Sequence, residues 1–367
     1  MRGRGVKGAG GSIWRGGAYG ASALTSRSAP LSASMPPLLR PAAWEFADTA
    51  AESLPWCTLT AVRPFRFGVA GGRQTRADWL DLAQAAEDLG YATLLLPDHF
   101  GPQLAPLPAL LAAALATRTL RVGTIVLDND FRHPALLAKE AATVDLLTDG
   151  RFELGIGAGW MASDYTRSGL PFDPPAERVS RLAEAVRIIR AFFAAEGPLT
   201  FQGRYSRIDG LEPAPRPAQA RLPILIGASR PRMLRLAAHE ADIVGLEDHQ
   251  FAERLTGAPR IHVADCAEQV GVVRAAAGPR MADLELSVFA ARTFVTDAAD
   301  DTTQRLADEL QLTPEQVRRS SSFLIGSPAA IVDTLQERRE RFGISYVLIH
   351  DRAMRDFAPV VARLAGT

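Results

Sequence analysis

The sequence predicts an α/β fold of the (β/α)8 TIM-barrel type, and three observations support this. Eight short apolar segments resemble buried parallel strands, and each is followed by a segment whose apolar residues have helical spacing. Residues 62–367 are long enough for a barrel, which takes about 250 residues in its plain form. The fourth strand opens into a glycine-rich loop, and α/β barrels carry their chemistry at such strand ends. A doubly wound sheet is the alternative, because it uses the same repeating units.

The predicted strands and helices alternate along the chain. The strands are Phe65–Val69, Ala92–Leu96, Leu120–Val126, Phe152–Ile156, Ile224–Ile226, Ile243–Leu246, Glu285–Val295 and Tyr346–Ile349. The helices are Arg76–Leu89, Pro106–Ala116, Pro134–Leu147, Pro175–Phe193, Pro231–His239, Cys266–Ala277, Pro328–Phe342 and Arg355–Leu364. Two stretches break this rhythm and predict insertions after strands 4 and 7. The first, Leu199–Pro223, contains a small hairpin around Tyr205, and the second, Asp300–Ser321, is polar and helix-prone.

Residues 1–61 differ from the rest, and we expect them to lie outside the barrel domain of residues 62–367. Up to Trp44 this segment is basic, rich in glycine, serine and alanine, and free of acidic residues. No long apolar stretch follows its basic start, which argues against a secretory signal. A disordered extension, a start codon assigned too far upstream, and an organelle transit peptide all fit this composition. We favour the first two because the periodic pattern begins only near Phe65.

Composition excludes several classes of protein. The formal net charge is zero and 47% of the residues are apolar, so a nucleic-acid partner is not expected. The longest apolar stretch of the periodic region, Ala109–Ala116, is too short to span a membrane. Cys57 and Cys266 have no metal or redox spacing, which favours a reducing cytoplasm. Lys139 is the only lysine within the predicted barrel and lies on a helix, so Schiff-base chemistry is largely excluded.

Asp98 and His99 directly follow the second predicted strand and should therefore project into the mouth of the barrel. Histidine is the usual acid–base group near neutral pH, and a neighbouring carboxylate fixes its tautomer. These two residues are thus the candidate catalytic pair. A loop histidine beside a helix-capping aspartate is the better interpretation of the pair taken alone, and an equally good one at this strand end.

Two glycine-containing loops are candidate binding sites. Residues 155–160, G-I-G-A-G-W, resemble the dinucleotide fingerprint but have Trp160 in place of its last glycine, so close strand–helix packing is the alternative interpretation. Residues 226–229, I-G-A-S, precede a helix whose first turn Ser229 could cap, and free N–H groups there could bind an anion. An ordinary strand–helix turn fits this loop equally well.

The sequence shows no catalytic nucleophile and no metal cluster. No histidine pair has metal-ligand spacing, and no nucleophile elbow or P-loop is present, so we predict no metal. A barrel mouth of this kind suits a reaction whose reactive atoms belong to a cofactor.

Taken together and in order, the motifs resemble the bacterial luciferase-like monooxygenase superfamily, and within it the coenzyme F420-dependent oxidoreductases. The resemblance covers residues 65–364. It rests on P-D-H-F (97–100), V-G-T-I-V (122–126), F-R-H-P (131–134), D-L-L-T-D-G-R-F-E-L-G-I-G-A-G-W (145–160), P-I-L-I-G-A-S (223–229) and G-S-P…G-I-S-Y-V (326–347). It implies a TIM barrel that binds a deazaflavin or FMN at its mouth, often as a homodimer.

The resemblance also implies roles for individual residues. His99 would be the proton donor or acceptor beside the reactive ring, and Asp98 would orient it. The cofactor would be bound by Thr124, Ile125, Gly157, Gly159, Trp160, Gly227, Ala228 and Ser229. Within that set, Thr124 and Ile125 would line the ring at a strained backbone bulge, and the last three residues would hold the phosphate. The family usually has two glycines at this phosphate site, so Ala228 is a departure.

Other departures concern the substrate. Relatives that oxidise glucose 6-phosphate have a glutamate where this chain has Trp160 and a tryptophan where it has Gln103. The sugar-phosphate activity is therefore not carried over. Substrate contacts are expected from the loops 101–108, 161–172 and 248–259, whose composition indicates no substrate class.

The sequence thus predicts a cytoplasmic F420-dependent oxidoreductase that transfers a hydride between the deazaflavin and a small organic substrate. An FMN-dependent monooxygenase is the alternative enzyme. A non-catalytic deazaflavin-binding protein is the alternative of a different class.

Overall fold

The computed structural model describes residues 63–247 and 266–367. The predictions for residues 1–61 and for the loop 248–259 therefore fall outside the described residues. The strands are β1 Arg66–Ala70, β2 Thr93–Leu96, β3 Arg121–Thr124, β4 Leu127–Asp128, β5 Phe152–Gly157, β6 Leu199–Gln202, β7 Arg207–Leu211, β8 Ile224–Ala228, β9 Ile243–Leu246, β10 Glu285–Ala290, β11 Arg292–Val295, β12 Phe323–Gly326 and β13 Ile344–His350.

A helix follows each of the eight predicted barrel strands, as expected. The helices are α1 Arg76–Asp88, α2 Pro106–Leu115, α3 Pro134–Leu147, α4 Ala162–Ser168, α5 Pro175–Ala194, α6 Pro231–Glu240, α7 Cys266–Ala277, α8 Ala299–Leu310, α9 Pro314–Arg319, α10 Pro328–Phe342 and α11 Met354–Leu364. Proline at the first turn is a recurring start signal here, and it marks the beginnings of α2, α3, α5, α6, α9 and α10. No helix of the described ranges is long and apolar enough to cross a membrane.

Eight parallel strands close into a barrel in the order β1, β2, β3, β5, β8, β9, β10, β13. The closure is completed where β13 pairs with β1 and where β3 pairs with β5. Closure confirms the predicted TIM barrel and excludes the doubly wound sheet, which would be open. The main apolar core lies between the strands and the surrounding helices, and a smaller cluster fills the barrel interior: Leu95, Leu225, Ile243, Tyr346 and Leu348.

The amino-terminal end of the barrel is filled by paired charges. Arg66 at the start of β1 contacts Glu153 at 2.6 Å and Glu285 at 2.7 Å, and Arg121 contacts Glu153 at 2.7 Å. The Arg66 guanidinium also lies 3.5 Å from the centre of the Tyr346 ring. Burial alone would raise the pKa of Glu153, but the two arginines outweigh it and hold that pKa below its ordinary value. Opposite charges thus compensate one another at this end.

Both predicted insertions are present. After the fourth barrel strand come α4, α5 and the antiparallel hairpin β6–β7. After the seventh come β11, α8, α9 and β12, with a small apolar core of their own that includes Leu306, Val317 and Phe323.

Two predicted strands were too long. Glu285–Val295 is not continuous, because β11 leaves the barrel after Ala290 and pairs in parallel with β12 of the insertion. Leu120–Val126 ends at Thr124, beyond which the peptide bond between Ile125 and Val126 is cis, and pairing resumes only at β4.

Candidate active site

A cavity of about 1730 Å³ opens at the carboxyl ends of the barrel strands. Residues after every barrel strand line it, and the insertion after the seventh strand forms part of its wall through residues such as Thr293, Phe294 and Arg305. This is the face on which TIM-barrel enzymes place their chemistry. The insertion had not been predicted to contribute to the site.

Most of the predicted site residues come together in this cavity. Eight of them line it: Asp98, His99, Ile125, Gly157, Gly159, Trp160, Gly227 and Ser229. The other two, Thr124 and Ala228, are buried and lie outside the lining. The Thr124 hydroxyl donates to the Gly155 carbonyl at 2.7 Å and accepts from the Gly155 N–H at 2.9 Å. Thr124 therefore ties two neighbouring strands together instead of facing a ligand.

His99 is held by Asp164, which corrects the prediction that Asp98 orients it. Nδ1 of His99 lies 2.7 Å from Oδ2 of Asp164, whose other oxygen accepts the Phe100 N–H at 3.3 Å. Asp98 instead accepts from Arg132 at 2.5 Å and from the Asp128 N–H at 3.2 Å. The reason is geometric: Asp98 is directed toward β4 and Arg132, whereas His99 meets the buried first turn of α4.

Sequence reasoning missed Asp164. It lies on the short helix α4, between two predicted elements and 65 residues from His99 along the chain. Trp160, just before α4, packs edge-on against His99, with ring centres 5.6 Å apart and an interplanar angle of 89°. The imidazole is thus fixed by a carboxylate at Nδ1 and by an indole at its side.

The glycines of the two loops provide room for side chains that shape the cavity. A Cβ at Gly157 would lie 2.7 Å from Val126, and one at Gly227 would lie 2.7 Å from the carboxylate of Glu247. Gly159 has a φ of 73°, and a Cβ there would collide with Tyr165. The glycines therefore lie in the cavity wall, and close packing there leaves no room for a side chain.

Two further carboxyl groups face the cavity and were not predicted. Burial raises the pKa of Glu247, at the end of β9, to about 7. Burial likewise raises the pKa of Asp128, at the end of β4, to about 6, with help from the charges of Asp130 and Asp98. Both residues follow the rule that predicted His99, since each lies just beyond a predicted barrel strand, Leu120–Val126 or Ile243–Leu246. A carboxyl group just past a predicted strand was therefore the sequence feature that could have identified both residues.

The start of α6 opens toward the cavity through Ser229 and Met233. The prediction that Ser229 caps this helix was wrong: Arg230 occupies the N-cap position, one residue later, and makes no side-chain capping bond. The Ser229 carbonyl instead accepts from Gln269 at 3.3 Å. Because the helix begins without a side-chain cap, its first N–H groups remain suited to an anion.

The family model described as luciferase-like monooxygenase matches residues 58–312, more than half of the chain. This chain belongs to the luciferase-like monooxygenase family. F420-dependent glucose-6-phosphate dehydrogenases from Microbacterium testaceum and Nakamurella multipartita are each 35% identical to it over 189 residues. That alignment covers 49% of this chain and 55% of each relative, so the chain spans about half the length of the curated relatives it matches.

Solved structures share the fold of this luciferase-like chain at low identity. An F420-dependent secondary alcohol dehydrogenase in complex with an F420-acetone adduct is 17% identical, with a TM-score of 0.65 over 82% of this chain and 98% of the other. The coenzyme F420-dependent tetrahydromethanopterin reductase from Methanopyrus kandleri is 18% identical, with a TM-score of 0.63 over 83% and 99%. At these identities the similarity establishes the fold alone.

The site of this luciferase-like protein combines an imidazole, two carboxyl groups of raised pKa, an indole and apolar strand ends. Within the described ranges, no group of three or more histidine, cysteine, aspartate or glutamate side chains is arranged to hold a metal ion. The arrangement suits binding of a flat ring and exchange of a proton beside it.

Proposed function

We propose that this chain is an oxidoreductase that binds coenzyme F420 and transfers a hydride between its deazaflavin ring and a small organic substrate. In this proposal His99 donates or accepts the proton. The observation that carries it is the 2.7 Å contact between His99 and the buried Asp164 in the cavity at the carboxyl ends of the barrel strands. The F420-dependent activities in the names of the relatives support the choice of cofactor.

The residues present fit this cofactor. Ile125 and Val126 at the end of β3, together with Gly157, would provide the apolar surface for the ring. Ser229 and the uncapped start of α6 would bind the phosphate. Glu247 lies near this second region, and its raised pKa reduces the repulsion that a fully ionised carboxylate would exert on a phosphate near neutral pH.

When bound, the deazaflavin would supply the carbon atom that accepts or donates the hydride. The protein would orient the side chain that donates or accepts the proton. Asp164 accepts a hydrogen bond from Nδ1–H of His99, which leaves Nε2 as the basic atom available to a substrate hydroxyl. Trp160 packs against the imidazole and restricts its rotation. Because the imidazole has a fixed orientation and a defined tautomer, little conformational freedom is lost when the reactive geometry forms.

The substrate is proposed to differ from glucose 6-phosphate. The resemblance implies a glutamate at the position of Trp160 in enzymes that oxidise glucose 6-phosphate, whereas this chain places an indole beside His99. Gln103 bonds the Pro97 carbonyl at 2.5 Å and so supports the loop that carries His99. A small alcohol or ketone without a phosphate group suits the surroundings of His99 better.

A homodimer is proposed on the basis of exposed leucines. Leu115 at the end of α2 is 65% exposed, and three leucines on the neighbouring α3 are about half exposed: Leu136, Leu146 and Leu147. Exposed apolar side chains concentrated on adjacent helices are typical of protein interfaces. A second copy would cover them through the same face on both subunits.

Titration of the protein with coenzyme F420, and separately with FMN, followed by fluorescence, tests the proposed function. Tight binding of the deazaflavin alone supports it and justifies a screen of alcohols and ketones. Preference for FMN would favour a monooxygenase. His99→Ala distinguishes the non-catalytic alternative, because loss of turnover with retained binding would contradict a protein that only carries the cofactor.

A further inference from the structure

Asp128 stands out among the cavity residues that the proposed mechanism does not use. It is 8% exposed, it follows the cis peptide by two residues, and it lines the cavity. Its Oδ1 accepts two hydrogen bonds, from the Tyr165 hydroxyl at 2.9 Å and from the Asp130 N–H at 3.0 Å. No described residue donates a hydrogen bond to Oδ2. Because Oδ1 already accepts two hydrogen bonds, Oδ2 is the oxygen that remains available to a ligand in the cavity.

The surroundings of Asp128 fix its orientation. The Tyr165 hydroxyl lies 2.9 Å from Asp128 and 3.0 Å from Asp130, so it connects the two carboxyl groups. Tyr165 itself is fully buried between Phe131 and Phe172, with ring centres 5.5 and 4.7 Å away. Neighbouring α4 residues thus support both acid–base groups of the wall, since Asp164 holds His99 and Tyr165 holds Asp128.

The charges around Asp128 are themselves paired. Asp130 contacts Arg181 at 2.8 Å, and Asp98 contacts Arg132 at 2.5 Å. Arg178 approaches from α5 but bonds the carbonyl groups of residues 158 and 159. These three arginines are therefore committed to other acceptors. Among the described residues, Asp128 has a hydroxyl and an N–H as donors and no guanidinium partner.

We propose that Asp128 is a second acid–base group of the cavity, distinct from His99, which in its neutral form donates a hydrogen bond from Oδ2 to an acceptor on the bound ring. Tyr165 and Asp130 are its positioning residues. The proton resides on Oδ2 because Oδ1 already accepts two hydrogen bonds. The ligand class is a heteroaromatic ring with carbonyl or imine acceptors, and the deazaflavin of the proposed function, on which this inference rests, is one.

The proposal specifies how affinity depends on pH. Below about pH 6 Asp128 is mostly neutral and donates to the ring, and above it the carboxylate repels an acceptor. Affinity for coenzyme F420 should therefore fall as pH rises from 6 to 8, by up to about tenfold per unit. Asp128→Asn keeps the hydrogen-bond pattern of the neutral carboxyl group, because its oxygen accepts from Tyr165 and its NH2 group faces the cavity at every pH. The affinity of this variant for coenzyme F420 should therefore not show the fall that ionisation of Asp128 causes in the parent.

Two neighbouring variants should shift the transition in opposite directions. Tyr165→Phe removes a donor that stabilises the carboxylate, so the Asp128 pKa rises and the fall in affinity begins at a higher pH. Asp130→Asn removes a neighbouring negative charge, so the Asp128 pKa falls and the transition moves to a lower pH. A purely structural role for Asp128 would not produce opposite shifts.

The experiment is a fluorescence titration of the full chain with coenzyme F420 at several pH values between 5 and 8.5, for the parent and the three variants. Ionisations of the coenzyme itself are common to all four proteins and drop out of the comparison. The same pH profile for the parent and Asp128→Asn, or equal profiles for Tyr165→Phe and Asp130→Asn, would overturn the inference while leaving the proposed function intact. Absence of F420 binding at every pH would overturn both.

Discussion

The two ends of the barrel both contain buried charged side chains, but they arrange them differently. At the amino-terminal end, Arg66 lies between Glu153 and Glu285, so that opposite charges neutralise each other. At the carboxyl end, burial raises the pKa values of Asp128 and Glu247, and no cation of residues 63–247 or 266–367 forms an ion pair with either. The comparison indicates that the first end serves stability, while the second retains groups that can exchange protons with a ligand.

The largest effect is expected from removing the paired charges at the amino-terminal end. Glu153→Ala leaves the half-buried guanidinium groups of Arg66 and Arg121 without their shared carboxylate, which should lower the free energy of unfolding by up to about 3–5 kcal/mol. Urea denaturation measures this loss. Coenzyme affinity of the folded protein should stay unchanged, because Glu153 does not line the cavity.

The same network predicts a pH dependence of stability. The folded-state pKa of Glu153 lies below its ordinary value, so its contribution is fully present above about pH 4.3 and is lost as pH falls through the folded pKa. Glu153→Gln is the matched control, because it keeps the volume and removes the charge. A parent protein and a Glu153→Gln variant with parallel stability curves in acid would contradict the assignment.

At the carboxyl end, the largest effect should appear in turnover instead of stability. His99→Ala should lower turnover by about 10²–10⁴-fold, since it removes the proposed proton donor or acceptor. Coenzyme affinity should change little, because the proposed contacts to the ring and the phosphate are made by other residues. Steady-state rates and a coenzyme titration measure the two properties separately. Retained turnover in the variant would contradict the proposed catalytic role of His99.

The barrel could be predicted from the sequence because parallel strands buried on both faces appear as continuous apolar runs. The exceptions have physical causes. Glu285–Val295 has strand-forming residues on both sides of Ala290, and only tertiary pairing with β12 determines that the strand leaves the barrel there. The short helix α4 has no apolar periodicity, so its position could not be derived from spacing.

The site was predictable to the extent that its residues stand at strand ends. His99 was found this way, and Asp128 and Glu247 could have been, since each occupies the same kind of position. The partner of His99 could not, because the contact with Asp164 joins residues 65 positions apart. Adjacency in sequence favoured Asp98, whereas the direction of its side chain, toward Arg132, appears only in three dimensions.

A smaller effect is expected at Gly159. In Gly159→Ala, a Cβ would collide with the Tyr165 hydroxyl and the Asp128 carboxylate, and φ is 73°. The variant should lose about 1–3 kcal/mol of unfolding free energy and also bind coenzyme more weakly. Gly169→Ala is the control: its φ is 75°, yet nothing lies within 4 Å of the added Cβ. Equal stability losses in both variants would show that the collision contributes nothing.

The smallest effect on the site itself is expected from the exposed flank of the barrel. Leu136→Asp with Leu147→Asp places two charges on the half-exposed face of α3. If a second copy covers this face, the variant should be monomeric in analytical ultracentrifugation, because a buried unpaired charge is costly. Its coenzyme affinity should remain within about twofold of the parent, since neither leucine lines the cavity.

The control for this last prediction is Ala329→Asp, an exposed position in the first turn of α10, where a negative charge is tolerated. It should leave the oligomeric state unchanged. A double leucine variant that sediments like the parent would remove α3 from the interface. A monomer that still binds coenzyme would instead establish that each barrel carries a complete site, so that the carboxyl end functions without help from a neighbouring subunit.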